Sequence, residues 1–278
     1  MKFSFSKWHG AGNDFVIVNG LLETIDQYDK MAIEVCDRHF GVGADGLVIL
    51  LPSEIADFQM RIFNSDGSEA EMCGNATRCI ARYVYESGLT DKTQITLETK
   101  AGIIKPELIF IDGIVDKVRV DMGTPHLLRS EIPMNGAGDQ QVINESLVIG
   151  EMKYHITCVS MGNPHCIIFV DDINDVDLSS IGPLIENNPI FPRKTNVEFA
   201  QMIDKQTIRM RVWERGAGIT MACGTGACAT LVAAVLNQRS DRQVHMKLDG
   251  GELFIEWGLD HHVYMSGTAV EVFRGEYL

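Results

Sequence analysis

MRVWERGAGITMACGTGACATLVAAVL, residues 210–236, is the stretch on which the reading of this chain turns. A β-like run at 208–213 passes through a Gly-rich turn to Cys223-Gly224-Thr225-Gly226, and a long apolar, helix-favouring run follows. The order is strand, turn, helix, with a thiol at the junction. A thiol there sits beside helix N–H groups that lack an intrahelical partner, at the positive end of the helix dipole. That setting favours thiolate near neutral pH.

The stretch has a counterpart 150 positions earlier. Met60, Arg61, Ile62 and Phe63 stand where Met210, Arg211, Val212 and Trp213 stand. Cys73-Gly74 stands opposite Cys223-Gly224, and another helical run, 76–86, follows. Gly12-Asn13 matches Gly162-Asn163, each leading into an apolar run at 15–18 or 166–170. With one residue of slippage, 94–102 resembles 243–251. A period this long excludes a solenoid and predicts two similar domains. They are expected at 1–122, carrying Cys73, and 123–267, carrying Cys223, with 268–278 returning to the first. If the two face each other about a pseudo-twofold axis, Cys73 and Cys223 meet.

Two domains of ordinary size fit in 278 residues. Hydrophobic content of 45% and charged content of 22% describe a globular chain. A formal charge of −14 argues against a nucleic-acid partner, because phosphate binding needs basic surface. The first residues lack an apolar h-region and no apolar run reaches spanning length, so the expectation is a cytoplasmic protein with no membrane partner. Seven cysteines, an odd number with no CxxC among them, argue against a disulfide framework and a structural zinc site. Cys36, Cys79, Cys158, Cys166 and Cys228 lie in apolar surroundings and read as small core residues. Cys73 and Cys223 alone have the Gly-flanked helix start.

In order, strands are expected at 2–7 and 15–18, around a turn at 8–13. A helix at 26–38 follows, with Asp26 as N-cap and Met31, Ala32, Ile33 and Val35 towards the core. The Gly-rich loop 41–46 lacks both GxGxxG spacing and a following Lys, so it is a weak phosphate site. Strands at 47–51 and 58–63 precede the first Cys-led helix, which ends near Gly88; strands at 95–99, 102–108 and 115–121 complete the half. The second half repeats the plan, with a helix at 178–187. The fold class is α/β (α+β): two similar pseudo-symmetric domains, each a curved, mostly antiparallel sheet wrapped around a central helix.

Two thiols across a cleft floored by two helix N-termini suit one chemistry. The N–H groups of Gly74-Asn75 and Gly224-Thr225 bind a carboxylate. Its α-carbon then lies between two sulfurs. One thiolate removes the α-proton, the other thiol delivers a proton to the opposite face, and the centre inverts. A lone Cys-Gly before a helix is more often a buried turn; two at matched positions reverse that weighting. A cysteine hydrolase or acyltransferase using His165 or His9 leaves one Cys-Gly turn without a task. A thiol-redox protein is disfavoured by the absence of CxxC. Asn13 and Asn163, Gly46 and Asn196, and Asn64 and Glu214 are matched turn residues that together can line a cleft. Arg215 offers a fork for a carboxylate, Glu214 an acceptor for an ammonium, and His165 a positioning or protonating group.

At these residues the chain resembles the diaminopimelate epimerases. The motifs are HGAGNDF (9–15), DRHFGVGADG (37–46), RIFNSDGSEAEMCGNATR (61–78), SMGNPHC (160–166), TNVEF (195–199) and ERGAGITMACGTGAC (214–228). They cover nearly the whole chain in order. The resemblance implies interconversion of LL- and meso-2,6-diaminopimelate in lysine and peptidoglycan-precursor synthesis, with no cofactor and no metal. It implies Cys73 and Cys223 as acid/base thiols, with His165 and Glu214 assisting. It implies substrate contacts from Asn13, Asn64, Gly74, Asn75, Asn163, Asn196, Glu214, Arg215, Gly224 and Thr225. It also implies a homodimer. Some relatives carry Gln where Gly46 stands, and many carry a C-terminal Tyr, at a dimer contact, where this chain has Phe273. Proline racemases and hydroxyproline epimerases are the alternative within the fold. They typically place His after the first Cys-Gly, where this chain has Asn75, and Arg215 suits a second, distal carboxylate.

Overall fold

A computed structural model of the chain describes residues 2–23 and 26–278. The chain forms two compact units, Met1–Asp121 with Ser266–Leu278, and Met122–Met265.

The first unit runs β1 (Phe3–Gly10), β2 (Asn13–Asn19), α1 (Tyr28–Cys36), β3 (Gly46–Leu51), β4 (Phe58–Asn64), β5 (Glu69–Ala70), α2 (Gly74–Glu86), β6 (Leu97–Thr99), β7 (Gly102–Ile104), β8 (Glu107–Ile111) and β9 (Ile114–Asp121). The second contains β10 (Glu145–Ile149), β11 (Met152–Ser160), β12 (Pro164–Phe169), α3 (Leu178–Glu186), β13 (Asn196–Asp204), β14 (Thr207–Glu214), β15 (Gly218–Ile219), α4 (Gly224–Leu236), β16 (Gln243–Lys247), β17 (Glu252–Trp257) and β18 (Val263–Gly267). The last strand, β19 (Val270–Tyr277), pairs antiparallel with β1.

Within the first unit strands run in the order β19-β1-β2-β3-β4-β6-β7, and within the second β10-β11-β12-β13-β14-β16-β17-β18. From β1 and from β11 onward both alternate antiparallel and parallel neighbours in the same sequence. The register repeats as well. Phe15 pairs with Gly46 as His165 pairs with Asn196, and Leu47 with Phe63 as Val197 with Trp213. Phe58 pairs with Leu97 where Ile208 pairs with Met246, which preserves the one-residue slippage.

Each sheet has one helix in its concavity and one outside. α2 packs on β1, β2 and β3, and α4 on β11, β12 and β13. Every residue from Gly226 to Ala234 is buried, so α4 is enclosed on all sides, as an apolar helix must be. Full burial of a side chain such as Leu231 contributes about 1.5–3 kcal/mol. α2 ends in a left-handed Gly88 (φ 68°), whose N–H bonds to the Tyr85 carbonyl. On the outer faces, Met31, Val35 and Cys36 of α1 join Leu47, Ile49 and Phe63, while Leu178 and Ile185 of α3 join Val197 and Phe199.

Several element expectations are corrected. The turn expected at 8–13 shrinks to Ala11-Gly12, both at positive φ, the geometry of a two-residue hairpin. Trp8 stays in β1 because its ring is fully buried and its indole N–H donates to Ser6 Oγ. α1 starts at Tyr28, because left-handed Gln27 precedes it; Asp26 does not cap it, and Ile33 faces solvent. The strand expected at 102–108 splits into β7 and β8 at Pro106, which has no N–H for the ladder. Among the described residues, no helix is long and apolar enough to cross a membrane.

Candidate active site

In the first unit the site is assembled by the β1–β2 hairpin and the start of α2. Cys73 is extended (φ −143°, ψ 117°) immediately before the helix. The next N–H groups, from Gly74 and Asn75, belong to the turn that has no intrahelical acceptor. The Cys73 carbonyl accepts from Thr77 N–H at 2.9 Å and Thr77 Oγ1 at 3.0 Å, which fixes the junction. Asn13, first residue of β2, has its Nδ2 drawn to Asp45 Oδ2 at 2.7 Å. Its Oδ1 therefore faces the helix, accepting from Asn75 Nδ2 at 3.0 Å and from the Cys73 thiol at 3.8 Å. Asp45 is held by Arg38, which also forks onto Asp14. Asn13, Cys73 and Asn75 are thus brought together. Asn64 is exposed at the end of β4 and bonds Ser68, across the β3–β4 ladder from Gly46. A Cβ at Gly46 would lie 2.9 Å from the Phe63 carbonyl oxygen, so the strands leave no room for a side chain.

The second unit uses the matched elements with different chemistry. Cys223 is extended (φ −118°, ψ 109°) before α4, and its sulfur accepts from Gly226 N–H at 3.3 Å. Thr225 Oγ1 lies 3.5 Å from that sulfur. Asn163, in the β11–β12 turn, donates from Nδ2 to Thr225 Oγ1 at 3.3 Å, and its Oδ1 faces His165 Nε2 at 3.0 Å. His165 Nδ1 lies 2.7 Å from Glu198 Oε1, and both residues are fully buried. A Cβ at Gly226 would meet Glu198 Oε1 at 2.6 Å and Cys223 Sγ at 3.2 Å, so carboxylate and thiol are packed against one bare stretch of helix. Asn163, His165, Cys223 and Thr225 form one network.

Glu214 ends β14 and accepts from the Thr220 hydroxyl. Burial pushes its carboxyl up, and the Glu198 charge adds to this. The thiolate expected at this helix start is not favoured at Cys223: burial, with the charges of Glu214 and Glu198, pushes its thiol well up, against hydrogen bonds from Thr225 and Gly226. Asn196 opens β13, donates to the Pro164 carbonyl and accepts the Arg215 N–H at 2.9 Å. The Arg215 guanidinium is exposed and bonds the Arg193 carbonyl.

Asp45 and Glu198 were not singled out by sequence reasoning. Glu198 carries a readable signal: one acid inside the apolar run VEFA, where Val48 stands in the first half. The ligand atoms of His165, Glu198 and Cys223 lie within 4.8 Å of one another, a donor set that zinc-like ions accept.

The sequence profile of the family described as "Diaminopimelate epimerase" matches residues 5–128 and 157–272. A protein of that name from Pelotomaculum thermopropionicum is 58% identical over 275 residues, 98% of each chain. One from Moorella thermoacetica is 56% identical over 275 residues, again 98% of each. The fold is shared with a Bacillus anthracis phenazine biosynthesis protein of the PhzF family (TM-score 0.70, 20% identity, 100% of this chain and 99% of that one). It is also shared with a hydroxyproline epimerase from Agrobacterium vitis (TM-score 0.71, 14% identity, 99% of this chain and 92% of that one).

Proposed function

This chain belongs to the diaminopimelate epimerase family, and we propose that it interconverts LL- and meso-2,6-diaminopimelate with Cys73 and Cys223 as the proton-transferring pair. It is an isomerase. The observation that carries the residue assignment is the repeated junction: each unit sets a cysteine in extended conformation directly before a buried helix, with an asparagine from the β-hairpin beside it.

Inversion at an α-carbon needs one acid/base group for each face. Each unit offers one thiol. In each unit the first N–H groups of the helix, from Gly74-Asn75 in one and Gly224-Thr225 in the other, are placed to take a substrate carboxylate and to stabilise the charge that develops as the α-proton leaves. One sulfur accepts the α-proton, the other donates its own, and the two exchange states for the reverse reaction. Asn13, Asn64, Asn163, Asn196, Glu214 and Arg215 hold the amino and distal carboxylate groups. His165 and Glu214 set the environment of Cys223. The thiols and helix N–H groups supply the acid, the base and the charge stabilisation, so the reaction runs without pyridoxal phosphate or a metal.

The same proposal includes a cytoplasmic location in lysine and peptidoglycan-precursor synthesis, and a homodimer. Seven cysteines, an odd number with no CxxC among them, fit a reducing compartment. β19 is a sheet-edge strand with exposed Val270, Val272 and Phe273, apolar surface suited to a second copy.

The test is incubation of the reduced protein with LL-diaminopimelate in D2O, with a chelator and without pyridoxal phosphate. Deuterium-bearing meso product is expected. Cys73→Ala and Cys223→Ala should each lower turnover by at least about 100-fold, the scale of a lost acid/base group. Full activity in either variant, or exchange with proline alone, would overturn the assignment.

A further inference from the structure

Hydrogen-bond polarity differs at the two matched thiols. At Cys73, Asn13 presents Oδ1, which is only an acceptor, because Asp45 has taken its Nδ2. At Cys223 the matched asparagine is turned over: Asn163 Oδ1 faces His165 and Nδ2 donates to Thr225 Oγ1. A threonine hydroxyl that already accepts a hydrogen bond keeps its own proton to give. The partner 3.5 Å away is Cys223 Sγ. Asn13 thus takes a hydrogen bond from one thiol, and Thr225 is placed to give one to the other whenever that sulfur is a thiolate.

The orientation of Asn163 depends on His165. Oδ1 can only accept, so Nε2 of His165 carries the hydrogen of that 3.0 Å contact. The imidazole is anchored on its other side by Glu198, from β13 to β12, with 2.7 Å between Nδ1 and Oε1 and no solvent access to either residue. Contacts at both nitrogens fix the plane of the ring.

We propose that Glu198 is a positioning residue for the epimerase reaction: it anchors His165 so that a relay through Asn163 and Thr225 ends as a hydrogen-bond donor to the Cys223 sulfur. The relay matters at the moment Cys223 holds negative charge. Charge-assisted hydrogen bonds are roughly twice as strong as neutral ones, so the Thr225 proton is worth most to the thiolate that receives the α-proton. Glu198 is hydrogen-bonded to His165, and its own charge works against a thiolate at Cys223, so any support it gives that thiolate comes through the relay. This inference rests on Cys223 being one of the two acid/base thiols.

The experiment compares wild type with Glu198→Met, which keeps length and removes the polar head, and Glu198→Gln, which keeps a hydrogen-bonding group at Nδ1. The Met variant should lose about 10- to 100-fold in kcat, the scale of outer-shell substitutions. Its KM should change far less, since no substrate contact is removed. The Gln variant should recover most of kcat. Nitrogen-15 spectra of labelled histidine should show a solvent-protected Nε2-bound proton at His165 in wild type and Glu198→Gln, assigned by its absence in His165→Gln. It should be lost in Glu198→Met. A Met variant as active as wild type, a Gln variant as impaired as Met, or a loss confined to KM would overturn the proposal. So would a wild-type His165 without a proton on Nε2, a result that does not depend on either Glu198 variant folding. An inactive wild type instead sinks the epimerase reading, and the His165 spectrum still judges the relay.

Discussion

His165 and Glu198 lie side by side on parallel strands β12 and β13, 2.7 Å apart and without exposed surface, where the first unit has Phe15 and Val48. The second half of the duplicated fold carries a buried ionisable pair at positions that are apolar in the first. Breaking such a pair from one side leaves an unpaired polar group in the interior, at a cost of about 3–5 kcal/mol. His165→Phe and Glu198→Val should each destabilise on that scale in urea unfolding. The double variant, which restores the chemistry of the first unit, should be more stable than either single variant. Additive losses would show that the two side chains do not act as a pair.

Thiol reactivity should be selective. Cys73 is partly exposed, and the six other cysteines are buried. Burial holds the thiols of Cys36 and Cys79 up at about 12, so they stay protonated at pH 8. Brief iodoacetamide treatment at pH 8 should label Cys73 first, with activity lost in step. Peptide mapping that finds Cys36 or Cys79 alkylated before Cys73 would contradict this order.

Glu214 should impose a pH trend on stability. Its folded carboxyl is raised above the ordinary value of 4.5, by burial first. The folded state therefore prefers the protonated form, and that contribution declines as pH rises from about 4.5 through the folded value. Glu214→Gln has no charge to bury. Its melting temperature should gain on wild type as pH increases from 4.5 to 8, even though turnover falls; a constant difference across that range would show that the carboxyl is not raised.

Asp14 should act in the opposite sense. Burial opposes its charge, but hydrogen bonds from Arg38 and Lys7, the Lys7 charge and the contact with Asp45 outweigh it and hold the carboxyl well below the ordinary 3.8. Its contribution is complete above pH 3.8 and is lost as pH falls through the depressed value. Asp14→Asn should be less stable than wild type at pH 7, and the gap should close in strong acid. A gap that widens on acidification would show that the carboxyl is not depressed.

Much of this molecule was legible in local chemistry. The 150-residue offset, the Cys-Gly turns and the apolar runs behind them are contiguous patterns, and helices with unpaired first N–H groups follow from them. Boundaries were less legible where one side chain settles them: Trp8 prolongs β1 by burying its ring, and Gln27 delays α1 by turning left-handed. The same patterns revealed Asn13 and Asn163 as a matched pair, but not that their amides point in opposite senses. That depends for one on Asp45, 32 residues along the chain, and for the other on the neighbouring His165, itself held by Glu198, 33 residues further on. The sequence alone therefore determined the repeated scaffold and the two Cys-Gly helix starts, because those arise from neighbours along the chain. Only the tertiary structure decided which groups give and which accept at each sulfur, because hydrogen-bond direction and burial depend on what the fold packs alongside.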